Sequence, residues 1–105
     1  MFDMKMLKQV QQMQQNLLKI QEELKERIVE ASAGGGAVKA SVSCGQELRS
    51  IVIDPSVVDP GDTEMLQDLI IAAVNEGLRL AKETSEREMG KAAAGLNLPG
   101  MPKLF

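Results

Sequence analysis

The chain has no histidine, no tryptophan and no tyrosine, and only two phenylalanines among its 105 residues. Its core must therefore be built from Leu, Ile, Val, Met and Ala. Cys44 is the single cysteine, which excludes a disulfide within one chain and argues against a Cys/His metal cage. With no histidine to act as base, a Cys44 nucleophile also lacks its usual activator. There is no run of about 18 apolar residues that would cross a bilayer, and no secretory signal pattern, so the expectation is a cytoplasmic protein with no membrane partner. The net charge of −3, from 12 basic and 15 acidic residues, disfavours coating of nucleic acid by bulk charge, although local patches can override it. This length suits one domain, and a lone chain of this size buries a modest share of its surface, so self-association would help it.

What the sequence does contain begins at once. Met6, Val10, Met13, Leu17, Ile20 and Leu24 step by four and three, the spacing that places all six on one seam of an α-helix. Residues 3 to about 27 lack Gly and Pro and are rich in Gln, Lys, Glu, Leu and Met, which are good helix formers. The polar face opposite carries Lys5, Lys8, Gln12, Gln15 and Lys19, with no acid in the stripe, and then turns acidic at Glu22, Glu23 and Glu26.

Near Ile28 the period changes. Ile28–Ala33 leads into Gly34-Gly35-Gly36, and Ala37 to Cys44 alternates, with Val38, Ala40, Val42 and Cys44 on one face. Such alternation marks a strand with one buried side. Gly45-Gln46 reads as a turn and Glu47–Ile53 as a third strand, closing an antiparallel meander that Asp54-Pro55 ends. Asp59 then reads as an N-cap with Pro60 at the first helical position, opening a second long helix to about Met89. That helix carries two apolar ladders, one through Leu66, Ile70, Ala73, Gly77, Leu80 and Thr84, the other through Ile71, Val74, Leu78 and Ala81. So wide an apolar arc has to be covered on more than one side; the first ladder also offers itself as the partner of the Met6–Leu24 seam. From Gly90 onward, Gly and Pro predict an irregular tail. The fold class expected is α+β, with a single α-β-β-β-α domain over residues 1–90 and a tail over 91–105.

This order of elements, together with the Met- and Gln-rich start Met4–Leu24, the glycine hairpin before Val38-Lys39-Ala40, Val52-Ile53-Asp54-Pro55-Ser56, Glu64–Leu69 and Leu98-Pro99-Gly100 followed by Met101–Phe105, resembles the YbaB/EbfC family of bacterial nucleoid-associated proteins over essentially the whole chain. The resemblance implies a homodimer whose paired helices project like tweezers, binding to double-stranded DNA, and no catalytic residues.

If the two helices are antiparallel, with Leu24 and Ile28 near Met65 and Leu66, the free ends are residues 4–8 and about 84–91. Lys5, Lys8, Arg87 and Lys91 would then form a cationic tip, able to neutralise phosphates with little sequence selectivity. Gln12, Gln15 and Lys19 extend that surface, and Arg79 and Lys82 lie further down the second helix. Lys and Gln are also what any solvated helix shows to water, and a helical adaptor binding a protein partner is the alternative reading. Gly34-Gly35-Gly36 is a hairpin and not a phosphate loop, since no Lys-Ser or Lys-Thr and no helix follows. Nothing in the pattern points to an enzyme, a cofactor or a small-molecule substrate.

Overall fold

The computed structural model describes residues 3–95. Helix α1 spans Met4–Glu26, strands β1, β2 and β3 span Ile28–Ala33, Val38–Ser43 and Leu48–Ile53, a short 3-10 turn covers Pro55–Val57, and helix α2 spans Thr63–Gly95. The sheet is antiparallel in the order β1-β2-β3, and the molecule is elongated, 72 × 22 × 16 Å.

The meander is set by its turns. Gly34, Gly35 and Gly36 hold φ of 63°, 68° and 95°, a left-handed run that side chains resist, and Ala37 N–H donates to the Gly34 carbonyl. In the second turn the left-handed residue is Gln46, at φ 67°, and not the glycine before it. Gly45 serves a different purpose: a Cβ there would meet the Cα of Lys25 at 3.2 Å, so the turn lies close against the end of α1. Register places Val38 between Ala33 and Ile53 and Ala40 between Ala31 and Ile51, with a bulge between Ser41 and Val42.

One face of the sheet is covered by α2. Val38, Ala40 and Ala73 are fully buried, and Leu66, Leu69, Ile70 and Val74 pack around them. Val38 and Val42 are the large apolar side chains wholly removed from solvent, each stabilising by roughly 1.5–3 kcal/mol. Leu69 sits over Gly34, and Gly77 sits over Val42 and Ala31; α2 therefore runs along β2 from the glycine hairpin toward the junction of α1 with β1.

Three boundaries differ from the sequence reading. Helix α2 starts at Thr63 and not at Pro60, because Asp59–Asp62 closes its own turn: Asp62 N–H donates to the Asp59 carbonyl, and Gly61 N–H to its carboxylate, both at 2.9 Å. Asp62 takes over as capping residue, its carboxylate accepting from Met65 N–H. The helix then continues through Gly90 to Gly95, past the expected end near Met89. A helical glycine costs only about 1 kcal/mol, and the alanines that follow are the best helix formers. The rest of the expected irregular tail, residues 96–105, lies outside the described residues.

The placement of α1 is the larger correction. Leu24 is not near Met65 and Leu66; it lines a cleft with Glu88, Lys91 and Ala92. Residues 84–91 therefore lie at the root of α1 and not beside its start. Accordingly, α2 partners only the last part of the Met6–Leu24 seam. Leu24 is 6% exposed, whereas Val10 is 42% and Met6 56% exposed. Antiparallel alignment explains this: with Leu24 opposite Glu88, α2 reaches Gly95 while α1 has only come back to about Asn16.

Candidate nucleic-acid interface

The root of α1 is held by several bonds that no sequence pattern announces. Cys44 N–H donates to the Arg27 carbonyl at 2.8 Å, which joins the α1–β1 junction to the end of β2. Arg49 on β3 donates to the Lys25 carbonyl at 3.2 Å and lies 3.6 Å from both Glu26 and Glu47. A cation at the C-terminal end of a helix also meets the negative end of the helix dipole. Arg27 in turn reaches Glu88 on α2 at 3.4 Å. These pairs are solvent-exposed and individually weak; together they define where the arm leaves the sheet.

At the other end, the Asp3 carboxylate caps α1, accepting from Lys5 N–H. Between cap and root, Lys5, Lys8, Gln12, Gln15 and Lys19 are all exposed, and they span roughly 21 Å along the helix at 1.5 Å per residue. Among the described residues, Lys5, Lys8 and Lys19 make no ion pair; the pairs belong to Arg27, Arg49, Arg79 and Lys91.

The α2 candidates divide. Arg79 is gripped by two carboxylates, its Nε donating to Glu76 at 3.0 Å and Nη1 to Glu83 at 2.6 Å. The Arg79 hydrogen bond holds the Glu76 carboxyl below its usual range. A guanidinium so occupied offers little net charge to a phosphate. Lys91 shares Glu88 with Arg27, at 3.6 Å. Arg87 lies near enough to the β2 end to pull on the Cys44 thiol. Nineteen or more residues separate Lys5 and Lys8 from Arg27, roughly 30 Å along the helix, and Lys91, which lines a cleft with Asn16 and Leu17, stops roughly 12 Å short of Lys8, so Arg87 and Lys91 do not share a tip with them. The expected four-residue cationic tip is not assembled. Lys82 is exposed and makes no ion pair among the described residues.

Cys44 ends the buried face of β2 and is 4% exposed. Burial pushes its thiol up, against the opposing pull of Arg27 and Arg87, so it is neutral at ordinary pH. Its reaction with a thiol reagent at pH 8 is expected to be at least about 100-fold slower than that of an unfolded-chain cysteine, since the thiolate is the reactive form. Labelling rates with and without denaturant check this; equal rates would contradict the burial.

Among the described residues no three His, Cys, Asp or Glu side chains gather as a metal site, and no helix is long and apolar enough to cross a membrane. The clefts beside α1 are open and lined by charged side chains such as Glu23, Arg27 and Glu88.

A sequence profile of the YbaB/EbfC DNA-binding family matches residues 1–96. The chain belongs to that family. Similar proteins include a nucleoid-associated protein of Alkaliphilus metalliredigens, 57% identical over 96 residues that cover 91% of this chain and 84% of that one. Another, from Desulforamulus reducens, is 58% identical over 97 residues and 92% of each chain. Among solved structures, the uncharacterized protein HP0035 from Helicobacter pylori matches with a TM-score of 0.73 at 24% identity, over 89% of this chain and 98% of that one. That likeness supports the α-β-β-β-α fold of this YbaB/EbfC chain. Family membership supports DNA as its partner.

Proposed function

We propose that the protein is a nucleoid-associated homodimer that binds double-stranded DNA along the phosphate backbone, with modest sequence preference, through the Lys5-Lys8-Gln12-Gln15-Lys19 face of α1. The observation that carries the reading is that three lysines without an ion pair among the described residues share one exposed face of α1. Its three lysines are exposed and make no ion pair among the described residues, whereas Arg79 and Lys91 are engaged by neighbouring glutamates. Lys82 and Arg87 are secondary contacts in this reading, and Arg79 and Lys91 are not primary ones. The stripe has no arginine or aromatic residue for base-edge or stacking contacts, which favours contact with phosphate and sugar over base readout. For dimerisation the reading draws on exposed apolar side chains such as Ile71 of α2, 57% exposed, and Val52 of β3, 62% exposed.

The test is a titration of random-sequence duplex DNA into the wild-type protein at about 50 and 200 mM salt, where phosphate contacts give a steep loss of affinity, with the oligomeric state measured in parallel. Binding that weakens strongly with salt, by a species of twice 11.4 kDa, is expected. Salt-independent binding, no binding, or a stable monomer would each overturn part of the claim. The competing reading is an adaptor for a protein partner, favoured by the apolar residues Met6 and Val10 on the same arm; it predicts no measurable affinity for duplex DNA.

A further inference from the structure

Helix α1 is joined to the sheet through a single residue, Arg27, before β1 begins at Ile28. So short a connection fixes where the arm starts and leaves its direction to contacts at the root. The last four carbonyls of a helix have no partner within it. In α1 those of Glu23 and Leu24 accept from Arg27 N–H. The Lys25 carbonyl accepts from the guanidinium of Arg49, on the opposite edge of the sheet from β1.

A break in the ladder places Arg49 for that reach. Ser41 of β2 pairs with Ser50, and the next residue, Val42, pairs with Leu48, so Arg49 is the extra residue of the bulge. An extra residue bends its strand and re-aims a side chain. Here the guanidinium meets the Lys25 carbonyl at 3.2 Å and the Glu26 and Glu47 carboxylates at 3.6 Å each. A planar fork can hold such a set, which the point charge of a lysine cannot. The same end of α1 is pressed by the turn at Gly45, where a Cβ would stand 3.2 Å from the Lys25 Cα.

Leverage makes the root matter. Lys5 lies roughly 30 Å along the helix from Lys25. A tilt of about 10° at the root would move it by roughly 5 Å, more than the ~3 Å length of a hydrogen bond. We propose that Arg49 is a positioning residue. It fixes the direction in which α1 leaves the sheet, and so where the Lys5-Lys8-Gln12-Gln15-Lys19 face meets phosphate, without touching DNA itself. Only the consequence for DNA rests on the proposed role of that face.

The test pairs a distance with an affinity. Spin labels at Gln11→Cys on α1 and Ser32→Cys on β1, both exposed positions, report the angle of the arm in the DNA-free protein. The background is Cys44→Ser, and labelled chains are diluted with unlabelled ones to remove distances between copies. One narrow distance is expected with Arg49 in place. In Arg49→Gln it should broaden by roughly 4 Å, the travel of Gln11 for a tilt of about 10°. Duplex affinity at about 0.1 M salt should fall about threefold or more, as for the loss of about one phosphate contact. The urea midpoint should barely move, because the side chain lies at the surface. Arg49→Lys keeps the charge and loses the fork, so the broadening and the affinity loss should both persist. An unchanged distance distribution in Arg49→Gln would overturn the proposal; if lysine also restored full affinity, Arg49 would be a direct phosphate contact. A broadened distance with undiminished affinity would overturn the link to DNA. A parent protein lacking salt-dependent binding would overturn the role of the stripe instead, with the distances still deciding that of Arg49.

Discussion

Replacing Gly77 with alanine is expected to destabilise the protein by about 1–2 kcal/mol, and with valine by about 3 kcal/mol or more, through overpacking of a full core. Both would be measured as shifts in the urea midpoint. On helix propensity alone the alanine change should stabilise by about 1 kcal/mol. The opposing effect is steric. A Cβ at position 77 would stand 2.6 Å from Cγ2 of Val42, with Val42 Cβ at 3.6 Å and the Ala31 methyl at 3.8 Å, whereas carbon atoms rest at about 3.5–4.0 Å. Val42 has little room to yield. It is completely buried, its β-branched side chain has few rotamers, and its strand is paired on both sides, to Val29 and Leu48. The helix would have to lift off the sheet, opening contacts at Ala73 and Ala81 on either side. Gly90 supplies the control. A Cβ there meets nothing within 4 Å, so Gly90→Ala is expected to stabilise by about 1 kcal/mol in the same assay. A Val42→Ala change combined with Gly77→Ala should recover part of the loss, a coupling that a double-mutant cycle measures. If Gly77→Ala stabilised as Gly90→Ala does, the close approach of α2 to β2 would be wrong.

The second large effect concerns DNA. Changing Lys5, Lys8 and Lys19 together to glutamine removes three exposed positive charges from α1. It leaves helix propensity almost untouched, since Lys and Gln rank together. If all three contact phosphate, the slope of log affinity against log salt should fall by about 2.7 for each arm engaged, at about 0.9 per contact on duplex DNA. Affinity at about 0.1 M salt should drop by about tenfold or more. An Arg79→Gln variant is the informative comparison. Because Glu76 and Glu83 already hold that guanidinium, removing it should change the slope little, and the two freed carboxylates would if anything repel phosphate. A slope that fell for Arg79→Gln and not for the lysine variant would move the contact surface from α1 to α2.

Much of the architecture is written locally. Alternation from Val38 to Cys44, three glycines in a row and a four-three ladder in α1 each specify an element through short-range sterics and period, and family-like wording across the chain points to DNA before any geometry is known. The errors are equally local in origin. Asp59 and Asp62 are both good capping residues three positions apart, and the choice between them fell to Asp62 because Asp59 is spent on closing a turn with Pro60 and Gly61. Gly90 reads as a helix end, yet nothing packs there to stop the helix.

The candidate surface was legible only in part. Lys5, Lys8, Gln12, Gln15 and Lys19 form one exposed face because helical period alone puts them there. Whether a cation is free to meet a phosphate depends on its neighbours. Arg79 has glutamates three positions before and four after it, a pattern open to inspection in the sequence, whereas the Arg27–Glu88–Lys91 group joins residues 61 positions apart and becomes visible only when α2 crosses the root of α1.

By itself, then, the sequence determined what short-range forces decide: helix, meander, helix, the buried face of β2, and the polar stripe of α1. Only the tertiary structure decided the register between the helices. A four-three ladder fits a partner equally well at any offset of a turn or two, because each offset presents similar apolar steps. The offset was settled by contacts distant in sequence, Gly77 against Val42 and Arg27 against Glu88. That offset left the first turns of α1 beyond the described reach of α2, moved Arg87 and Lys91 to the root, and left the basic stripe to stand on α1 alone.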